Sequence, residues 1–240
     1  NLLGAVILAV DVTESQNAEQ MRREFSANVS HELKTPLTAI SGYAELIETG
    51  MASGEDAAGF ARGIHKSSNR LLALINDIIK LSEIDDNAIE EDWEPVNLYQ
   101  SAKICVEMLQ VSAEKHQVTI QLDGEDCLVQ GNKQMLEELL YNLCDNAIRY
   151  NNVNGKVDVR IHSTDTGVVL EVEDTGIGIP KESQERVFER FYRVDKSRSK
   201  QTGGTGLGLA IVKHIIAKHD ASMKLESEVG VGTKITVNFF

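Results

Sequence analysis

The sequence predicts a two-domain chain: an all-α helical hairpin that pairs with a second copy as a dimeric four-helix bundle, followed by an α/β sandwich. Three observations carry this. Apolar residues recur at helical steps from about Thr13 to Asp86. An acidic stretch, Glu83 to Glu94, breaks the composition and ends at Trp93 and Pro95. Beyond it, helical patterns mingle with alternating strands.

The opening NLLGAVILAV is apolar but stops at Asp11. It is too short to span a membrane and too β-rich for a signal peptide, so residues 1–12 read as a buried strand left from an upstream domain. There is no initiator Met, and the chain reads as a piece of a longer protein. The hairpin is expected over 13–90. In its first helix Phe25, Val29, Leu33, Leu37, Ile40, Ala44 and Ile47 form one stripe at steps of four and three. Gly50 to Gly54 is the hairpin loop. The second helix carries Ile64, Leu71, Leu74, Ile75, Ile78 and Leu81. Two such helices cannot hide their apolar faces in one another completely, which predicts the homodimer.

The second domain is expected over 95–240. Helices are predicted at about 98–115 and 132–149. Strands are predicted around Val118, Ile120 and Leu122, around Val157, Val159 and Ile161, around Val168, Leu170 and Val172, and from Thr233 to Phe239. With 42% apolar and 25% charged residues the chain is neither disordered nor collagen-like. Its 24 basic residues face 37 acidic ones, a net charge of -13, which disfavours nucleic-acid binding. An anion such as ATP must therefore meet locally arranged donors rather than a global field. Cys105, Cys127 and Cys144, three and widely spaced, make neither a disulfide framework nor a zinc cluster.

Three segments carry chemistry. In Ser30 to Pro36, S-H-E-L-K-T-P, His31 lies off the apolar stripe and Glu32 stands beside it as proton acceptor or orienter. Pro36 offers no N–H to the carbonyl of Glu32, so a kink or loosening is expected one turn after the histidine. The string starts H-E-x-x, but Thr35 stands where a zinc protease needs its second histidine. Asn142 to Tyr150, N-L-C-D-N-A-I-R-Y, places Asn142, Asn146 and Arg149 on one helix face, as a solvated side or as a magnesium and phosphate site. Two glycine clusters follow, Asp174 to Pro180 and Gly203 to Ala210. The second opens an apolar-periodic helix, whose free N–H groups suit phosphate oxygens. Neither cluster fits a P-loop or the dinucleotide pattern.

Over roughly residues 20 to 240 the chain resembles the transmitter core of bacterial sensor histidine kinases, of the PhoR/WalK-like group. The boxes stand in order: the histidine box at Ser30 to Pro36, the N box at Asn142 to Tyr150, the first glycine box at Asp174 to Pro180, the F box at Phe188 to Phe191, the second glycine box at Gly203 to Gly208, and G-V-G-T at Gly230 to Thr233. The resemblance implies a HisKA-type dimerisation and phospho-acceptor hairpin and a HATPase_c domain of the GHKL (Bergerat) ATP-binding fold. It implies that His31 accepts the phosphoryl group of ATP, that Glu32 orients or deprotonates it, and that Thr35 helps dephosphorylate the partner regulator. Asn142 would ligate Mg²⁺, while Asn146, Arg149 and Tyr150 line the pocket. Asp174 would accept the adenine amino hydrogen bond, supported through water by Thr233. Gly176, Gly178, Gly204, Gly206 and Gly208 would give hinge freedom and close approach to the phosphates, and Ile179, Thr205 and Leu207 would join them in binding ATP. A lid at 192–205 would bring Arg198 and Lys200 to the γ-phosphate.

The implied reaction is attack of a neutral imidazole, the form that prevails for an ordinary histidine near pH 7, on the γ-phosphorus, followed by transfer to an aspartate of a response regulator. The resemblance also implies a cytoplasmic fragment of a membrane-anchored parent, with residues 1–13 echoing the end of a PAS sensor domain. Two other readings stand beside it: a nucleotide-binding dimeric scaffold without phosphoryl transfer, and an ATPase of the same fold. The latter leaves the histidine-bearing hairpin without a purpose.

Overall fold

The computed structural model describes residues 13–85, 93–195 and 204–240. The expected strand at 1–12, most of the expected linker, and the lid residues Arg198, Lys200 and Gly203 lie outside the described residues. The chain divides into two compact units, 1–72 and 73–240.

In the first unit, α1 (Thr13–Glu48) and the start of α2 (Glu55–Asp85) form the hairpin. The loop closes because Gly50 and Gly54 take positive φ angles of 70° and 57°, which β-carbon-bearing residues resist. Ala52 tucks in under it, its N–H bonded to the Leu46 carbonyl at 3.0 Å. The helices meet where Tyr43 stacks on Phe60 with ring centroids 5.4 Å apart. Gly63 makes room there, since a β-carbon on it would lie 2.7 Å from the Tyr43 ring. Two members of the expected α1 stripe, Leu37 (57% exposed) and Ala44, instead face outward. A stripe read at strict steps drifts around the helix, and Tyr43 and Leu46 take up the inward positions. On α2, Ile75 also faces outward, while Leu74 and Leu81 are buried.

The second unit begins within α2 and continues with β1 (Trp93–Asn97), α3 (Leu98–His116), β2 (Thr119–Gly124), β3 (Leu128–Asn132), α4 (Lys133–Arg149), β4 (Lys156–Thr164), β5 (Gly167–Asp174), α5 (Gly208–Lys218), β6 (Ser222–Glu228) and β7 (Gly232–Phe239). Local signals fix the helix starts. Asn97 and Asn132, in extended conformation, accept hydrogen bonds from the N–H groups of Gln100 and Met135. The main sheet runs β2-β4-β5-β7-β6, with β2 and β4 parallel and the other pairs antiparallel; β1 and β3 form a separate antiparallel pair. One face buries Val157, Val159, Ile161, Leu170, Val172 and Val237 beneath the helices. The opposite face carries a charged ladder in which Arg160 pairs with Glu173 and Lys234 with Glu171. This is the α/β sandwich that the sequence predicts, and the alternation places its end, Asp174, beside Thr233 of β7.

Candidate functional site

On α1 the His31 side chain is 80% exposed, as its place off the stripe predicts. Its Nδ1 lies 4.0 Å from Glu32 Oε1. The other carboxylate oxygen of Glu32 accepts a hydrogen bond from the Arg70 guanidinium of α2 at 3.0 Å. The carboxylate beside the imidazole is thus held from across the hairpin. α1 runs on through Pro36, which is buried. The Thr35 hydroxyl donates to the carbonyl of His31 at 3.1 Å, so it is engaged with its own helix.

The second site gathers around the end of β5. Asp174 Oδ1 accepts from the N–H groups of Gly176 (2.8 Å) and Thr233 (3.3 Å). Burial raises its pKa to about 6, although both backbone donors work against the rise. Where the resemblance implies support from Thr233 through water, its backbone N–H bonds Asp174 directly and its hydroxyl is shared with Ser227 at 2.8 Å. The loop beyond Asp174 is pinned on both sides: Ile177 N–H donates to the Tyr150 carbonyl, Ile179 N–H to Ser227 Oγ, and Gly230 N–H to the Ile177 carbonyl. Position 176 admits only glycine, because a β-carbon there would sit 2.4 Å from the Tyr150 carbonyl oxygen. Gly178 in the same loop has φ 70°.

The phosphate side lies where α4 meets α5. Gly204, Thr205, Gly206 and Leu207 lead into α5, which has no side-chain cap. The N–H groups of its first turn therefore remain available to an anion. Thr205 Oγ1 accepts from Leu207 N–H at 3.2 Å, and the Phe191 N–H donates to the Gly206 carbonyl at 2.8 Å. Tyr150 brings its hydroxyl to Gly204. Gly208 packs so closely on Asn142 that a β-carbon would lie 2.6 Å from its Oδ1. Asn146, half-buried one turn on, makes no side-chain hydrogen bond among the described residues. The amide oxygen of Asn142, turned onto Gly208, is a hard donor of the kind Mg²⁺ takes alongside phosphate oxygens, so this residue fits the metal; the Asn146 atom nearest Gly208 is its Nδ2. Arg149 is turned to Asp145, its Nε 2.6 Å from Oδ2.

Three groups at these sites escaped the sequence reading. Arg70 lies 38 positions from Glu32, a separation without any sequence signal. Glu138 accepts from Asn142 Nδ2 at 2.7 Å, and its place four residues earlier on the same helix face could have revealed it. Asp77, on the part of α2 that belongs to the second unit, is hydrogen-bonded to Thr205, and burial raises its pKa.

Residues 21–87 match the family described as His Kinase A (phospho-acceptor) domain, and residues 131–240 match the histidine kinase-, DNA gyrase B- and HSP90-like ATPase family. The chain belongs to the sensor histidine kinases, a phospho-acceptor domain followed by an ATPase-fold domain. It is 39% identical over 235 residues to the sensor-like histidine kinase SenX3 of Mycolicibacterium smegmatis, covering 98% of this chain and 61% of that protein. It is 35% identical over 237 residues to the sensor histidine kinase WalK of Bacillus subtilis, covering 97% of this chain and 39% of that protein. Among solved structures, full-length ShkA in complex with AMPPNP is similar over 91% of this chain and 45% of that one, with a TM-score of 0.64 at 26% identity. The chain thus spans 39% and 61% of the length of these two curated relatives, less than two thirds of either.

Proposed function

We propose that this chain transfers the γ-phosphoryl group of ATP to His31 and then to an aspartate of a response regulator. The observation that carries the reading is the exposed imidazole whose neighbouring carboxylate is braced by Arg70. With Nδ1 on the Glu32 side, a proton on Nδ1 leaves Nε2 as the outward lone pair. Nε2 attacks the γ-phosphorus, the bond to the β,γ-bridging oxygen breaks, and ADP leaves; Glu32 stabilises the positive charge that develops on the ring. Asp174 selects adenine, because a carboxylate accepts from its amino group while guanine presents a carbonyl at that edge. The α5 N-terminus and the glycines around it receive the phosphates. Bound Mg²⁺ would supply charge neutralisation at the phosphates, with the amide oxygen of Asn142 as its protein ligand and Asn146 lining the pocket beside it.

The same reading makes Thr35 a participant in regulator dephosphorylation, once its hydroxyl leaves the His31 carbonyl. It gives the lid cations Arg198 and Lys200 a place at the γ-phosphate, and it makes the segment near Asp85 to Pro95 the hinge through which ATP reaches His31. A homodimer is supported by apolar side chains left outside on the helices, Leu37, Leu72, Ile75 and Ile79, and by a groove along Ala39, Gly42, Tyr43 and Leu46. Membrane attachment of the full-length protein rests on the family resemblance; among the described residues no helix is long and apolar enough to cross a membrane.

Incubation with γ-labelled ATP and Mg²⁺ tests the reading. It requires acid-labile, alkali-stable label that disappears in His31→Gln. Steady ATP turnover without labelled protein would instead indicate an ATPase, and nucleotide binding without either would indicate a scaffold.

A further inference from the structure

We propose that Glu138 is a positioning residue for the metal side of the nucleotide pocket: its carboxylate holds the Asn142 amide so that the oxygen, and not the NH₂ group, faces the glycine start of α5. The inference rests on the reading that the Asn142 amide holds Mg²⁺.

The orientation of an asparagine amide follows from its partners. Asn142 Nδ2 lies 2.7 Å from Glu138 Oε1 and 2.9 Å from the Glu138 backbone carbonyl. Both atoms only accept, so the nitrogen must be the end that meets them. Oδ1 is then turned the other way, onto Gly208. Without the carboxylate the backbone carbonyl alone would hold the amide, and rotation would present a donor where a cation needs an oxygen. Glu138 is itself held: its second oxygen, Oε2, pairs with Lys80 Nζ on the last turns of α2. Its carboxylate is mostly covered (18% exposed), so this is a tighter arrangement than a surface ion pair. The contact thus links α2, through Glu138 and Asn142, to the first residue of α5.

Partners that orient a ligating group commonly change metal affinity by about 10–100-fold when removed, which sets the size of the effect. ADP binding to the whole chain, measured by calorimetry with saturating Mg²⁺ and again with a chelator, reads it without any turnover. The parent chain and the variants Glu138→Leu, Glu138→Ala, Glu138→Gln and Asn142→Ala are compared. Affinity in chelator stays at the parent level in the Glu138 variants, which also verifies that the pocket is folded. The gain in affinity on adding Mg²⁺ falls about tenfold in Glu138→Leu and Glu138→Ala. It returns in Glu138→Gln, whose amide oxygen still accepts from Asn142 Nδ2. A full gain in both truncations beside a lost gain in Asn142→Ala overturns the brace alone. A full gain in Asn142→Ala as well overturns the magnesium reading and the brace with it. Loss of the gain in Glu138→Gln equal to that in Glu138→Leu also contradicts the brace, because it assigns the effect to charge rather than to the accepted hydrogen bond.

Discussion

A carboxylate that burial pushes to a pKa of about 6 has one obvious disadvantage: near neutral pH, Asp174 is ionised in a place that disfavours charge. Its folded pKa lies above its unfolded one, so it stabilises the fold below about pH 4 and that contribution is lost as pH rises through 6. In the proposed complex the amino group of adenine would offset this by donating to the ionised form. ADP affinity should therefore be level above pH 7 and fall as pH drops below 6, approaching tenfold per unit. Calorimetric titrations from pH 5 to 8 check this, and Asp174→Asn should abolish both the slope and most of the affinity. At Gly176, substitution by alanine forces a β-carbon onto the Tyr150 carbonyl and should cost about 1–3 kcal/mol, read as a lowered Tm. The exposed position of His31 and the glycine turn after Asp174 were legible, because local spacing marks both. Arg70 was not, since only folding brings it to Glu32.

Among elements, α5 and the β1–β3 pair show how separate pieces of the second unit are joined. His219, at the end of α5, accepts from the Asn132 N–H through Nε2 at 3.2 Å and lies within hydrogen-bond distance of the Ile215 carbonyl through Nδ1. Its ring packs on Trp93 and meets Phe239 edge-on. Burial lowers its pKa, and a proton on Nε2 would face the Asn132 N–H. With the folded pKa below the unfolded value, its stabilisation is complete above about pH 6.5 and is lost as pH falls from there. The Tm of the parent chain should drop more between pH 7 and 5 than that of His219→Leu; equal slopes would contradict the lock. The sequence leaves His219 as an ordinary surface or satisfied residue, because nothing local marks its contacts with Asn132 and Trp93, 87 and more positions away. The helices α3 and α4 and the strands β2, β4, β5 and β7 were legible, since apolar periodicity and alternation are local signals; β1, β3 and β6 were not, being short or carrying Pro95, glycine or mostly polar residues. The α1 stripe was legible only in part: Leu37 and Ala44 share its spacing but face outward, and steps of three and four do not say which neighbour covers a position.

For the molecule as a whole, the proposed function places the nucleophile on the hairpin and the triphosphate in the sandwich. On that proposal kinase and phosphatase activities would be separable. Thr35→Ala should leave His31 labelling intact while regulator dephosphorylation falls, measured as the lifetime of regulator phosphoaspartate; a parallel loss of both would count against a separate role. The most direct measurement concerns where the phosphoryl group goes. After incubation of the whole chain with Mg²⁺ and ATP, mass spectrometry under alkaline conditions should show the peptide containing His31 heavier by one phosphoryl group, with ADP formed in equal amount. An unmodified His31 peptide beside accumulating ADP, or the phosphoryl group on any other side chain, would contradict the account.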